Sequence, residues 1–387
     1  MKENLLRRFK LILALIVIAN VTQAQKIKDV KIGGALRFNF RYKDWDENNK
    51  DVGGDAVLDV FRLNAKARYE KLYMDAEYRF YPSEFGGGML HHGFIGYNFN
   101  DNSHLELGVH QVPFGIQPFA SHSWFFNLPY YVGLEDDYDT GLKYVFDTNK
   151  WNFAFAFYKN AEGGRAWTTF SNGSQGNAVD LARYSYDLAG DNEENGQFNF
   201  RAARKFNNQE VGFSAQLARY RNHVKDKNYH YNAFALHYHG RFLEDERLDV
   251  KFELTRYDYK GADNDLIKMA AYNYTYDIAS EAIIICGGVA YTIPVEWGPI
   301  ESLQVYDNYN YMKKGNSQFN DTQMNVLGVM VKAGPIYTYI DYASGKNQDW
   351  LGPWGAFGES ADAYGFGRGA ANPEWHSWFN VNVGYYF

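Results

Sequence analysis

Trp375-His376-Ser377-Trp378-Phe379-Asn380-Val381-Asn382-Val383-Gly384-Tyr385-Tyr386-Phe387 is the last stretch of the sequence. Trp375, Phe379, Val381, Val383, Tyr385 and Phe387 alternate with His376, Trp378, Asn380, Asn382, Gly384 and Tyr386. Successive side chains of a strand point to opposite faces, so this is a strand with one apolar face and one mostly polar face. The same period of two recurs upstream. Leu36, Phe38, Phe40 and Tyr42 oppose Arg37, Asn39 and Arg41; Phe61, Leu63, Ala65, Ala67 and Tyr69 oppose Arg62, Asn64, Lys66 and Arg68. Leu72, Met74, Ala76, Tyr78 and Phe80 oppose Asp75, Glu77 and Arg79. Trp151, Phe153, Phe155 and Phe157 oppose Asn152, Ala154, Ala156 and Tyr158, and Leu248, Val250, Phe252 and Leu254 oppose Asp249, Lys251, Glu253 and Thr255.

Alternation by itself also suits a soluble antiparallel sandwich with one wet face. Large aromatics near the strand ends and charges at mid-strand favour a transmembrane barrel, whose outer wall meets lipid and whose lumen holds water. The residues between strands agree. Short turns are predicted at Glu70-Lys71, Asn100 to Asn102, Asp147 to Lys150, Asn207-Asn208, Leu243 to Glu246, Val295 to Pro299 and Gly334-Pro335. Longer connections fall at 44–55, 82–88, 113–138, 159–195, 223–227, 261–280, 313–320 and 345–374, alternating with the short ones as in outer-membrane barrels. Segment 266–278 is ambiguous. As a spanning strand it makes the count odd and puts 345–374 on the periplasmic side. As loop or strand extension it leaves about 16 strands, an even number; 18 is the alternative.

The N-terminus reads as a leader. Lys2, Arg7, Arg8 and Lys10 precede an apolar run from Leu11 to Val21, broken only by Asn20, and Thr22-Gln23-Ala24 supplies small residues before a cut. The run is too short to cross a bilayer as a helix, which needs roughly 20 residues. The expected division is a signal peptide over 1–24 and one barrel domain over 25–387, exported to the outer membrane of a Gram-negative cell.

Composition fits. Aromatics make up 18% of the chain, with 32 Tyr and 29 Phe, and suit the headgroup boundary of a membrane barrel. Mean hydropathy is nevertheless −0.49, because half of each strand faces water. Cys286 stands alone, so no internal disulfide forms. Removing four basic residues and one acidic residue with the leader takes the formal charge from −7 to −10, which argues against nucleic acid as a partner.

Around the fifth strand, Leu105-Glu106-Leu107-Gly108-Val109-His110-Gln111-Val112-Pro113-Phe114-Gly115 resembles the phosphate-selective porins O and P. That family carries a Gly, a short strand end and Pro-Phe-Gly ahead of its constriction loop; the likeness extends loosely to Val60-Phe61-Arg62 and the terminal Phe. It implies a channel for small hydrophilic solutes, with anions such as phosphate preferred. Physically, Pro113 ends strand pairing by removing a donor and Gly115 lets the chain bend. The residues that follow, Ile116 to Tyr138, include Phe119, Trp124, Phe125, Phe126, Tyr130 and Tyr131, too apolar to lie free in water; they are expected to fold inward beside the small residues Ala154 and Ala156.

Arg37, Arg41, Arg62, Lys66, Arg68 and Arg79 are expected to form a basic pore wall. Glu135, Asp136, Asp137 and Asp139, on the loop with Pro113, Phe114, Gly115 and Trp124, are expected to face it and set up a transverse field. An unopposed basic ladder would suit phosphate better than this arrangement. Tyr385 and Phe387 are expected to form the signal read by the barrel-assembly machinery. His237 and His239 share a lumen face without a third ligand, and His91-His92 should face opposite ways, so no metal site is expected. His122-Ser123 and His376-Ser377 are adjacent in sequence only, and no Gly-x-Ser-x-Gly elbow occurs, so neither catalysis nor a cofactor is expected. An outer-membrane lipase and a structural barrel capped by loops 159–195 and 345–374 are the minor alternatives. Trp350, Trp354, Phe357, Tyr364 and Phe366 in the latter loop raise a further one, a carbohydrate-preferring channel. Outer-membrane lipids and small solutes are the expected partners, with a homotrimer as the assembly in keeping with porins.

Overall fold

The structure, a computed structural model, describes residues 28–163, 167–169, 175–177, 183–354 and 364–387. The leader predicted over 1–24 and Phe357 lie outside them. Sixteen antiparallel strands close into one barrel. They are β1 (Lys28–Lys43), β2 (Asp55–Tyr69), β3 (Leu72–Phe80), β4 (Gly88–Asn100), β5 (Ser103–Gln111), β6 (Tyr138–Asp147), β7 (Trp151–Ala161) and β8 (Asn192–Phe206), followed by β9 (Gln209–Asn222), β10 (Lys227–Phe242), β11 (Leu248–Tyr259), β12 (Glu281–Trp297), β13 (Ile300–Lys314), β14 (Thr322–Ala333), β15 (Ile336–Lys346) and β16 (His376–Tyr386). Each pairs with its neighbours in sequence, and β1 closes on β16 from Ala35↔Tyr386 to Lys43↔Trp378, leaving no open edge.

Alternation places the side chains as the sequence predicts. Phe38, Leu107 and Phe198 stand 50%, 62% and 61% exposed on the outer wall, while the intervening Asn39, Glu106 and Asn199 are buried inside. Tight turns join strands at one end, helped by left-handed residues such as Asn207 (φ 52°) and Gly334 (φ 57°). The long connections gather at the other end.

Segment 266–278 is not a seventeenth spanning strand. Leu266–Tyr272 and Tyr274–Ala279 form a hairpin that Arg183–Leu188 joins as a third strand, separate from the barrel sheet. The parity of the barrel is thus kept, and the extra strand-forming residues build a separate, largely buried three-stranded sheet from two long connections.

The core lies inside the barrel. Phe114, Phe125, Leu128, Tyr130, Tyr131 and Leu134 from the connection between β5 and β6 pack against Tyr158, Tyr231, Ile284, Met312 and Val326 of the wall. Ala156, Ala233, Ala235, Ala282 and Ala343 project inward beside them, small enough to admit the loop. This revises the expected use of tyrosine. Tyr97, Tyr291 and Tyr385 are exposed on the outer wall as expected, but Tyr158, Tyr220, Tyr231, Tyr257 and Tyr306 are fully buried in the lumen. A ring with one polar tip fills an interior whose neighbours are partly polar.

Candidate functional site

The connection 112–137 leaves β5 and crosses the lumen. The Val112 N–H donates to the Asp137 carbonyl (2.8 Å), closing the base of the loop. Its backbone then binds side chains of strands well removed around the barrel. Gly115 N–H donates to Ser214 Oγ on β9 (3.1 Å) and Ile116 N–H to Glu253 Oε2 on β11 (2.8 Å). His122 N–H donates to Asn308 Oδ1 (3.1 Å) and Leu128 N–H to Asn310 Oδ1 (3.1 Å), both on β13. Trp124 N–H donates to Asp341 Oδ2 on β15 (3.4 Å). Outside the short 3-10 turn Tyr130–Val132 the loop leaves these amides without backbone partners, and lumen-facing side chains supply the acceptors. Gly115 is required at the bend: its φ is +58°, and a Cβ there would sit 2.3 Å from Glu253 Oε2. Pro113 and Phe114 are buried beside it.

Between this loop and the wall of β1–β4 lies a cavity of about 670 Å³. Its lining reaches from Phe85 and Tyr272 in the long connections to Tyr337 and Tyr386 near the short-turn end. Arg37, Arg41, Arg62 and Arg79 line it against two carboxylates, Asp59 and Asp136. The arginines are held in place: Arg37 Nε lies 2.8 Å from Asp59 Oδ2, Arg79 Nε 2.6 Å from Glu77 Oε1, and the Arg79 guanidinium stands 4.5 Å from the ring centre of Tyr184. Trp124, Phe125, Tyr130, Trp350 and Trp378 supply an aromatic side.

Two of the six predicted wall residues lie elsewhere. Lys66 and Arg68 line a separate recess with Lys31, Asp29 and Asp75, and Lys66 Nζ pairs with Asp75 Oδ2 at 2.8 Å. They share the lumen face of β2 with Arg62 but stand closer to its turn with β3.

The predicted acidic face is corrected more deeply. Of Glu135, Asp136, Asp137 and Asp139, only Asp136 lines the cavity; the other three are buried away from it. Asp136 accepts hydrogen bonds from Tyr184 (2.6 Å) and Tyr138 (3.1 Å). Burial pushes its carboxyl up to about 6, tempered by the Tyr184 hydrogen bond and the charge of Arg79. Glu135 accepts from the Ala120 N–H (2.7 Å), and burial, with Glu253 nearby, pushes it up to about 8. The four carboxylates do not form a charged face opposite the arginines.

His91 and His92 both turn to the lumen, with their Nδ1 atoms 2.8 Å apart. A register shift opposite Glu77 and Tyr78 inserts a bulge in β4, which breaks the alternation that should have separated them. His237 and His239 share a lumen face as predicted, and each pairs with a carboxylate: Glu210 at 3.0 Å and Asp249 at 3.0 Å. In neither His-Ser pair does the imidazole reach the neighbouring hydroxyl. Ser123 Oγ donates to the Phe125 carbonyl, and Ser377 Oγ to Asp44 Oδ2 at 2.9 Å. Tyr385 and Phe387 are exposed on the outer wall, and Phe387 exchanges two backbone hydrogen bonds with Gly34 (2.9 and 3.1 Å).

Sequence reasoning missed Asp59, Tyr184, Tyr337 and Tyr339. Tyr337 and Tyr339 alternate with Ile336, Thr338 and Ile340, so the same pattern would have found them. Asp59 falls at a register shift between β1 and β2, where the pattern fails.

No family profile matches the chain, and no curated protein matches it in sequence. Solved structures do match. The anion-selective porin from Comamonas acidovorans superposes with a TM-score of 0.60 at 13% identity, over 93% of this chain and 100% of that one. The fold is that of the outer-membrane porins. The outer-membrane channel DcaP of Acinetobacter baumannii gives 0.56 at 11% identity, over 93% and 97% of the two chains. OmpT of Vibrio cholerae, an outer membrane protein in its trimer form, gives 0.55 at 14%, over 94% and 100%. At these identities the likeness to porins is one of architecture.

Proposed function

We propose that this protein is an outer-membrane channel through which small hydrophilic solutes diffuse passively, with anions, phosphate among them, preferred. The observation that carries the reading is the cavity beside the inward loop, lined by four arginines and two carboxylates, with Glu77 and Glu84 paired to three of the arginines from behind that lining. Fixed guanidinium groups in a narrow aqueous passage lower the barrier for anions and raise it for cations. The anion selectivity named for the Comamonas acidovorans porin supports it. On the same reading the chain loses residues 1–24 on export, the assembly machinery recognises Tyr385 and Phe387, and the barrel sits among outer-membrane lipids as a homotrimer. The trimer form recorded for OmpT supports that assembly.

The aromatic side of the cavity favours a second reading. Trp124, Tyr130, Trp350 and Trp378 offer ring faces on which a sugar stacks, which would make the passage carbohydrate-preferring. One experiment separates the two. Purified protein is inserted in a planar bilayer between unequal KCl solutions, and its reversal potential is read before and after adding phosphate or a maltooligosaccharide. Anion preference with block by phosphate supports the first reading. Cation preference overturns it, and block by sugar alone supports the second.

A further inference from the structure

Three acidic side chains meet where the inward loop rejoins the barrel. Asp137 ends the loop, Asp139 lies at the start of β6, and Asp187 belongs to the inner strand Arg183–Leu188 of the connection between β7 and β8. Each offers a carboxylate oxygen, and these oxygens lie within 4.8 Å of one another. The three residues are 5%, 1% and 2% exposed. Asp137 Oδ1, Asp139 Oδ1 and Asp187 Oδ2 are buried and receive no hydrogen bond from an amide, guanidinium or hydroxyl donor, although the large majority of buried acceptors have one.

The surroundings do not supply the missing positive charge. Glu162 and Glu194 lie close enough to act on Asp137 and Asp139 through their charge and add two more acidic groups. The Glu162 and Asp187 carboxyls lie within hydrogen-bond reach of each other, and Glu162 Oε1 takes the N–H groups of Tyr184 (3.0 Å) and Ser185 (2.9 Å). Gln197 Nε2 donates to Asp139 Oδ2 at 3.2 Å. Among the described residues, the ion pair reaching the three aspartates is that of Arg183 Nη1 with Asp187 Oδ2, at 3.8 Å. One guanidinium does not balance five buried carboxyls: burial pushes Asp137, Glu162 and Asp187 above the usual carboxylate range, so without a cation they sit together only by holding protons, which a bound cation would replace.

We propose that Asp137, Asp139 and Asp187, backed by Glu162 and Glu194, bind a calcium ion at the end of the barrel that carries the long connections. The donor set is all oxygen and mostly carboxylate, which selects a hard cation over zinc or copper. Several carboxylates converging from three chain segments suit calcium, which takes six to eight oxygens in flexible geometry. Magnesium keeps much of its water and seldom takes such a cage. The ion would join elements far apart in sequence, and its neighbours explain what that does. Tyr138, between two of the ligands, donates its N–H to Ser185 Oγ (2.9 Å), and Asp136, Tyr138, Tyr184 and Tyr186 all line the cavity. Calcium would fix the wall of the passage by fastening the inner strand to the loop.

The test uses the full barrel refolded in detergent, stripped with a chelator and titrated with calcium chloride by calorimetry. Heat-modifiable mobility on gels confirms that each sample is folded. One calcium per chain, with binding at least tenfold weaker in Asp187→Asn or Asp139→Asn, is the expected result. Asp187→Asn lies off the barrel wall and serves if the other variant fails to fold. A folded wild-type barrel that takes up no calcium, or binding unchanged in the folded variants, overturns the proposal. Equal affinity for magnesium chloride overturns the choice of calcium.

Discussion

The Ile116 N–H and the Glu253 carboxylate meet at 2.8 Å although 137 residues separate them. The bond pins the start of the inward loop to β11, across the lumen from the β5–β6 connection that produced it. Replacing Glu253 with Ala removes an acceptor from a buried amide, which costs about 1–3 kcal/mol. The loop should then loosen locally. Single-channel recordings of Glu253→Ala should show higher conductance or added current noise than wild type, with the barrel still folded.

Arg62 tests the arginine side of the cavity. It lies 5.0 Å from the ring centre of Tyr386, and its Nη1 is 3.6 Å from Glu77 Oε1. Arg62→Gln removes one positive charge and keeps much of the volume. The anion-to-cation permeability ratio should fall roughly twofold to fivefold, the scale of one unit charge acting over a few ångströms of water. Reversal potentials in a KCl gradient measure it.

A pH effect follows from Glu135. Its folded-state carboxyl is pushed up to about 8 from an ordinary 4.5, first by burial and then by Glu253. The folded chain therefore holds a proton that the unfolded chain releases across that window. This contribution to stability is fully present below about pH 4.5 and is lost as pH rises through 8. Glu135→Gln keeps an oxygen for the Ala120 N–H and has nothing to ionise. Thermal midpoints measured across that range should decline with pH in wild type and be flatter in the variant.

The seam between β1 and β16 gives a stability test. A Cβ on Gly34 would lie 2.2 Å from the Arg62 carbonyl oxygen and 2.7 Å from the Phe387 ring. Gly34→Val should strain barrel closure by about 1–3 kcal/mol, the usual range for an overpacked site. The folded fraction after refolding, scored by gel mobility, should fall below that of wild type.

The barrel was legible because its signal is repeated and local. Phe38 and Arg37 face opposite ways for the same reason as Phe252 and Lys251, and one period of two places them all. The turns at Asn207 and Gly334 could likewise be read from residue type. The pattern failed where a bulge added a residue, as at His91-His92 and Asp59, because one insertion reverses every face beyond it. The loop interior failed for another reason. Four acidic residues at 135–139 look alike in sequence, yet Asp136 reaches the cavity while Glu135 bonds to Ala120 and Asp137 joins Asp139 and Asp187. Those fates depend on contacts with Tyr184 and Asp187, nearly 50 residues away. Lys66 and Arg68 show that a shared face does not imply a shared depth along the barrel.

Alternate strand residues should face lipid and a water-filled passage in turn, and neighbouring cysteines probe that arrangement. In a Cys286→Ala background, Arg62→Cys and Phe61→Cys are each reconstituted in bilayers and exposed to a charged, membrane-impermeant thiol reagent. Modification should be fast and should change the current at position 62, and should be slow and silent at 61. Equal reaction at both, reaction at 61 alone, or no ion current from the folded wild-type protein would rule out a lipid-facing 61 and a lumen-facing 62 in an open channel.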